Sequence, residues 1–402
     1  MVAISQSADT LRRTLAWTGL GILALAIACL AGRFADTSFL GLADYIAYWS
    51  AGHQNAIGAN PYSPEALLAL QEELGWAEDF PNMMYYPPWT LPLVMPFGIV
   101  PYGISRLLWL FFHLGILLCC AERIWRFYNG PPETQLWVWI ATLSFVPSLI
   151  VLKMGQIGPL LLLGLVGFLY FEKRGLDWAA GAALLLLAIK PQLVYLFGLA
   201  TVVWVIDRRR WKVLGGGVLA VIGSVGVALA YNPFVLDQYR YALANPPSVN
   251  VTPTIGALLR LALDENQTWL QFVPTILGIL WFPFYWIRQR QTWRWEDQAP
   301  LLLLVSFLTT AYGAWVFDIV ILLLPLLQVA AGVIRDGHRQ LVAFALVGYV
   351  AIDGASLAMN LMGATYPAFI WMTPAILLFY LALRRQLQRT AWRHIPLSES
   401  GV

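Results

Sequence analysis

Long apolar runs separated by short polar turns repeat along most of this chain. Because a helix needs about 20 apolar residues to cross a bilayer, the pattern predicts about twelve membrane-spanning helices. The predicted spans lie near residues 12–32, 104–124, 135–152, 157–172, 175–190, 191–206, 212–230, 268–287, 298–313, 316–334, 339–359 and 365–384. The sequence therefore predicts an all-α, polytopic membrane protein that forms a single integral membrane domain over residues 1–402.

Two longer segments, 33–102 and 231–267, interrupt the apolar pattern. The first combines carboxylates with tyrosines and tryptophans, which is typical of a loop that carries chemistry at a membrane surface. Its acids are Asp36, Asp44, Glu65, Glu72, Glu73, Glu78 and Asp79. Carboxylates can accept protons, and aromatic faces can hold sugar rings. We therefore expect the active site in this loop, with the last four acids on a solvated surface.

The same loop contains signals for short interfacial helices. The stretch 44–55 is typical of a short amphipathic helix, and Ser63 followed by Pro64 predicts the N-cap and first turn of a second helix. Prolines restrict the next apolar stretch, 87–99, to a short segment. We expect this segment to lie in or dip into the outer leaflet, and the sequence alone leaves open whether it spans.

Composition supports the membrane class. Apolar residues make up 59% of the chain and charged residues 12%, against roughly 25% charged in soluble domains. With the amino terminus inside, 19 of the 25 basic residues fall at cytoplasmic ends of spans, as the positive-inside bias requires. We therefore predict a multi-pass protein of the plasma (inner) membrane, with both termini cytoplasmic and segment 33–102 outside.

The first predicted span has an alternative interpretation as a signal peptide. Arg12 and Arg13 precede its apolar core, and small residues follow it. Removing it would leave an odd number of spans and a different arrangement of the later turns. We therefore favour a retained signal anchor.

Several basic residues fall on the predicted outer side, against the charge bias. Lys153 precedes Gln156 in one outer turn, and Lys190 lies in another. Because an ammonium at bilayer depth costs about 2.5–3.5 kcal/mol, each lysine needs a partner or a wet cavity. In one interpretation, the lysines snorkel to the membrane surface or form structural ion pairs. In the other, they bind a lipid-linked phosphate, and Gln156 and Arg240 are further candidates for binding it.

Other polar residues narrow the class of function. Asp353 lies on one helical face with Tyr349 and Ser356, which favours hydrogen bonding between helices over catalysis. The four histidines and three cysteines lack ligand-like spacing, so we predict no metal site and no cofactor. Phosphate-binding glycine loops and nucleophile elbows are also absent from the sequence, and nothing indicates nucleic-acid binding. An enzyme of this kind would use lipid-linked activated sugars.

A series of short motifs resembles glycosyltransferase family 87. These motifs are Asp44 with Tyr48, Gly58-Ala59-Asn60-Pro61-Tyr62, Tyr86-Pro87-Pro88, Gly155-Gln156 and Lys190, in this order along the first half of the chain. The resemblance implies a GT-C fold and the transfer of a hexose, commonly mannose, from a polyprenyl-phosphate donor to an acceptor hydroxyl with inversion. It also implies that Asp44 is the catalytic base.

The remaining site residues follow from these expectations. Tyr45, Tyr48 and Trp49 flank Asp44 and could line the sugar pocket, together with Tyr62 and Tyr86. We expect a glycolipid or glycan acceptor, contact with the lipid bilayer and a monomeric protein.

The sequence departs from the family at one place. Family members often carry Trp followed closely by His near the outer end of a late span, whereas here Trp315 is followed by Val316, Phe317 and Asp318. The polar group at this position therefore differs from the one that family members often use there. Asp318 could then supply the local polar group in the substrate pocket, and it is the reserve candidate for the base.

A transporter or lipid flippase is the main alternative. Twelve spans with both termini inside suit it, and Lys190 and Asp353 could belong to a translocation path. Against it, the two halves show no clear internal repeat, and a transporter has little use for a long outer loop rich in acids and aromatics.

Overall fold

The computed structural model describes residues 43–245 and 252–393. These residues form helices and turns with no β-strand among them, which agrees with the predicted all-α class. The predicted first span, 12–32, lies outside the described residues.

Seventeen α-helices follow one another in the described residues. They are α1 Tyr45–Ala56, α2 Pro64–Glu72, α3 Leu91–Gly98, α4 Tyr102–Phe127, α5 Gln135–Ser144, α6 Val146–Met154, α7 Gly158–Lys173, α8 Asp177–Leu187, α9 Tyr195–Arg208, α10 Trp211–Tyr231, α11 Val235–Ala244, α12 Ile255–Leu263, α13 Val273–Gln289, α14 Trp295–Thr309, α15 Leu323–Asp336, α16 Arg339–Leu361 and α17 Met372–Arg393. Short 3-10 helices occur at Pro88–Thr90, Pro132–Thr134, Pro191–Val194, Thr268–Phe272, Arg290–Thr292, Asp318–Leu322 and Tyr366–Trp371.

Six of these helical segments are long and apolar enough to cross a membrane, or seven if the bent pair α5 and α6 is one span. The six are Tyr102–Phe127, Trp211–Tyr231, Thr268–Thr292, Asp318–Asp336, Arg339–Leu361 and Tyr366–Arg389. Other predicted spans coincide with shorter helices. The 11 residues of α8 extend only about 17 Å, against a hydrocarbon core of about 30 Å. Its predicted span ends early because Pro191 disfavours a helical conformation at Lys190.

The chain divides into two compact units. The described part of the first unit comprises residues 43–115, 153–155 and 224–245. Here α1 packs against α3 with their backbones in direct contact. A Cβ atom added to Gly52 would lie 2.7 Å from the carbonyl oxygen of Val94, and one added to Gly98 would collide with the backbone of His53. Glycines at both positions therefore permit the crossing.

The two predicted loop helices are present. Ser63 caps α2 by accepting a hydrogen bond from the Ala66 amide at 3.3 Å, as predicted. By contrast, α1 is not a surface amphipathic helix, because ten of its 12 residues are buried. The segment 87–99 forms a 3-10 turn and the eight-residue α3, which at about 12 Å is too short to span alone.

The second unit comprises residues 116–152, 156–223 and 252–393 in its described part. It contains the antiparallel pair α7 and α8, joined at Gly175, which has a positive φ of 69°. A 60° bend separates α5 from α6. Asp353 of α16 accepts a hydrogen bond from the Val146 amide at 2.7 Å, so it satisfies the first backbone donor after this bend. This contact confirms the predicted interhelical role of Asp353.

Candidate active site

Asp44 lies directly before α1 in the first unit, with its side chain half-buried. Its backbone is already helical, with φ −55° and ψ −19°, and its side chain makes no capping hydrogen bond. Instead, Oδ1 accepts a hydrogen bond from Nδ2 of Asn82 at 3.2 Å. The alternative in which this carboxylate serves only as an N-cap is therefore not what the geometry shows.

Aromatic side chains occupy the first turns of α1, directly after Asp44. The Tyr48 ring stacks on Tyr86 with centroids 5.8 Å apart and planes at 17°, and their hydroxyl oxygens are 3.3 Å apart. Trp49 donates its indole N–H to the carbonyl oxygen of Val100 at 2.8 Å. These contacts fix the rings, so they could form a rigid wall for a sugar.

Tyr62 joins the same cluster from the Asn60-Pro61-Tyr62 turn. Its hydroxyl donates to the carbonyl oxygen of Tyr86 at 2.9 Å, and its ring lies 5.2 Å from that of Tyr239. Burial, with a smaller contribution from Tyr239, raises the pKa of the Tyr62 phenol well above its ordinary value. Tyr62 therefore remains a protonated donor.

A buried layer supports Tyr45. The Tyr45 hydroxyl is hydrogen-bonded to Ser105, and the guanidinium carbon of Arg106 lies 5.4 Å from the centre of its ring. Arg106 also donates to the carbonyl oxygen of Lys153. Gly155, two residues after Lys153, has φ 71°. A Cβ atom added to it would lie 2.6 Å from the Cβ atom of Tyr45. The Gly155-Gln156 motif thus contains a position that only glycine fits.

The sequence did not single out Arg106, although it falls against the positive-inside bias. The sequence signal that could have identified it is a cation one turn into a long apolar helix, because a charged side chain in such a helix needs a partner. Its side chain is 1% exposed.

The predicted phosphate-binding residues have different surroundings. Lys190 of the second unit forms a buried ion pair with Asp318, Nζ to Oδ1 at 2.7 Å, with side-chain exposures of 6% and 0%. Lys153 has an exposed side chain, whereas Gln156 is buried. Arg240 is exposed on α11 and lies 3.7 Å from Asp237. The ion-pair interpretation therefore describes Lys190 in this structure, with Asp318 as its partner.

Asp318 is fixed on its other oxygen as well. Its Oδ2 accepts from the Trp315 amide at 3.3 Å, in a turn where Gly313 and Ala314 both have positive φ. A buried carboxylate held by a lysine and a backbone amide stabilises this strained turn.

An apolar groove of about 650 Å³ lies in the second unit, along α9 and against α8 and the start of α10. It begins at Pro191 and Gln192, directly after Lys190. One face of α9 lines it, through Tyr195, Gly198, Thr201, Val202, Val205 and Ile206. From 195 to 206 this face extends about 17 Å. The groove can accommodate an extended hydrocarbon chain.

The described residues contain no group of three or more His, Cys, Asp or Glu side chains placed to hold a metal ion.

Comparisons with known proteins agree with the resemblance. The model of glycosyltransferase family 87 matches residues 85–359. The polyprenol-phosphate-mannose-dependent alpha-(1-2)-phosphatidylinositol pentamannoside mannosyltransferase of Mycobacterium tuberculosis is 28% identical over 205 residues, which is 50% of this chain and 44% of that protein. The match thus spans less than half of the relative's length. No solved structure gives a significant match.

The family match includes all four predicted phosphate-binding residues, and it also includes Tyr86 and Asp318. It begins after α1. The placement of Asp44 in the site therefore rests on its motif and its geometry.

Proposed function

We propose that this chain, which belongs to glycosyltransferase family 87, transfers a hexose from a polyprenyl-phosphate donor to an acceptor hydroxyl on the extracytoplasmic side of the membrane. Mannose is the expected sugar, because the mycobacterial relative is described as polyprenol-phosphate-mannose-dependent. That relative is also described as a phosphatidylinositol pentamannoside mannosyltransferase, which supports a glycolipid acceptor here. The fold proposed from the family is GT-C.

The half-buried carboxylate of Asp44 is the observation that carries the proposed mechanism. An acceptor hydroxyl is a poor nucleophile, and a carboxylate that accepts its proton during transfer lowers the barrier. The new bond forms between the acceptor oxygen and the anomeric carbon. The bond from that carbon to the phosphate oxygen breaks, and the polyprenyl phosphate leaves with the electron pair. A single displacement of this kind inverts the anomeric carbon.

The aromatic cluster supports sugar binding beside this base. Tyr48, Trp49 and Tyr86 have fixed rings, and sugars pack their apolar faces on such surfaces. Tyr45 and Tyr62 complete the proposed pocket, and Asp318 remains the reserve candidate for a polar contact to the substrate.

We assign donor binding to Lys190, with Lys153, Gln156 and Arg240 as further candidates. A phosphate needs a cationic partner, and the ammonium group of Lys190 could supply it. In this structure that ammonium group is paired with Asp318. The donor phosphate would share or replace this partner. The groove along α9 begins at the next two residues, which supports it as the binding surface for the apolar donor chain.

A transfer assay tests the function directly. Purified protein is incubated with a panel of polyprenyl-phosphate sugars and candidate glycolipid or glycan acceptors, and the acceptor product is identified by its mass. We expect one added hexose, with polyprenyl-phosphate mannose as the best donor. A lipid-linked sugar that crosses the bilayer of a proteoliposome unchanged, with no product from any donor, would support the transporter alternative.

A further inference from the structure

A buried glutamine organises the loop that faces Asp44. Gln71, at the end of α2, is 0% exposed. Its Nε2 donates to the carbonyl oxygen of Asn82 at 2.8 Å, and its Oε1 accepts from the amide of Asn82 at 2.9 Å. The same Nε2 donates to Ser50 of α1 at 3.0 Å. Gln71 therefore clamps the backbone of Asn82 from both sides and ties it to α1.

The clamp leaves the side chain of Asn82 directed at Asp44. Its Nδ2 lies 3.2 Å from Oδ1 of Asp44. The amide nitrogen must be the atom that faces Oδ1, because a carboxylate oxygen accepts hydrogen bonds and the N–H group donates them. The orientation of the Gln71 amide is fixed in the same way, because it meets one backbone donor and one backbone acceptor. The direction of every hydrogen bond in this chain of contacts is thus determined by its partners.

We propose that Asn82 is a positioning residue for the Asp44 carboxylate, and that Gln71 acts through Asn82 by holding its backbone. The proposal rests on the proposed function, in which Asp44 is the base. Because Asn82 engages Oδ1, it restricts the rotation of the carboxylate that is proposed to accept the proton.

The geometry allows the side-chain contact of Asn82 with Asp44 to be removed without its backbone contacts with Gln71. Its contacts with Gln71 use only backbone atoms, so Asn82→Ala removes the donor to Asp44 and preserves the clamp. We expect kcat to fall about tenfold or more, the equivalent of one hydrogen bond to a charged group, with KM for donor and acceptor nearly unchanged. Asn245→Ala is the matched control, because Asn245 is exposed directly after α11 and donates to the carbonyl oxygen of Tyr241.

Gln71→Met tests the clamp. The substitution removes the hydrogen bonds to Asn82 and Ser50 while nearly conserving volume, and thermal unfolding reports any loss of fold. If Gln71 acts through Asn82, the double variant Gln71→Met/Asn82→Ala has about the same kcat as Asn82→Ala alone. Fully additive losses would overturn the role of Gln71.

The Asp44→Asn background separates this proposal from the function on which it rests. If Asn82 acts on the carboxylate, adding Asn82→Ala to Asp44→Asn produces no further loss of kcat. A normal kcat for Asn82→Ala, while Asp44→Asn is inactive, would overturn the positioning role but leave the base intact. A normal rate for Asp44→Asn would overturn the base itself.

Discussion

At the residue scale, Asp44 differs from the other described acids of its loop. Glu65, Glu72, Glu73, Glu78 and Asp79 are all exposed, as predicted for the last four. Hydrogen bonds from its own backbone amide and from Ser63 lower the pKa of the Glu65 carboxyl, so it is charged and solvated. Asp44 alone among these acids is half-buried, directly before the aromatic first turns of α1, which is the position proposed for the base.

Asp44→Asn should therefore abolish most activity without unfolding the protein. The amide keeps the size of the side chain but cannot accept the proton, so we expect turnover to fall on the order of 10²-fold or more, with donor binding retained. Steady-state transfer rates and donor binding measure the two effects. Glu73→Gln is the matched control, because it changes an exposed carboxylate of the same loop. Near-normal turnover in folded Asp44→Asn would contradict the assignment and direct attention to Asp318.

A second prediction concerns the Lys190–Asp318 pair, and testing it needs two variants. Lys190→Met alone leaves a buried carboxylate without its cation, which costs about 3–5 kcal/mol of stability. Lys190→Met/Asp318→Asn removes both charges and should recover most of that stability, as thermal unfolding measures. If Lys190 binds the donor phosphate, the double variant still binds donor about 1.5–3 kcal/mol more weakly.

Lys153→Met provides the comparison at an exposed lysine, and the same loss of 1.5–3 kcal/mol is expected if it also contacts the phosphate. Unchanged donor affinity in the double variant would make the pair purely structural, a stabiliser of the Trp315 turn.

At the element scale, the α1–α3 crossing determines where Asp44 lies, because α1 begins at the next residue. Gly98→Ala would force a Cβ into the backbone of α1, which costs about 1–3 kcal/mol through strain or separation of the helices. Gly103→Ala in α4 is the control, since its added Cβ would have no atom within 4 Å. We expect a lower unfolding temperature and lower activity for Gly98→Ala only. Equal stability of the two variants would show that the crossing tolerates a methyl group.

The groove along α9 makes a prediction about the length of the donor chain. Gly198 is exposed in the groove, and a Cβ there would meet no atom within 4 Å, so Gly198→Trp places a large side chain in the groove from a position with room for its Cβ. Each displaced methylene loses about 0.8 kcal/mol. We expect KM to rise about tenfold or more for a long-chain donor and to change little for a donor with one or two isoprene units.

Gly354→Trp on α16 is the matched control for this experiment, because Gly354 is also exposed with no atom within 4 Å and lies outside the groove lining. The same change for long and short donors, or no change for either, would exclude the groove as the chain-binding surface.

At the scale of the whole molecule, local signals predicted local structure. Ser63 and Pro64 determine the start of α2 through backbone chemistry that needs no tertiary contact, and the polar stripe of Asp353 indicated an interhelical partner. The length of the spans was less predictable, because proline and the bend between α5 and α6 shorten helices inside continuous apolar runs. The partners themselves were beyond the sequence. Lys190 meets Asp318 across 128 positions, and Asn82 meets Asp44 only because Gln71 holds its backbone.

Sidedness is the property of the whole chain that the charge distribution predicts. The positive-inside bias predicts that the basic alternate turns lie in the cytoplasm, so segment 33–102 and the turn at Thr292 should lie on opposite sides. In a background with Cys29, Cys119 and Cys120 replaced by serine, Glu78→Cys and Thr292→Cys each add one thiol at an exposed position. In right-side-out vesicles, an impermeant maleimide should label Glu78→Cys at once and Thr292→Cys only after detergent. Labelling of both before detergent, or of Thr292→Cys alone, would contradict the predicted topology. Labelling of Thr292→Cys alone would also place Asp44 on the side where nucleotide sugars are available, and the lipid-linked donor would lose its chemical necessity.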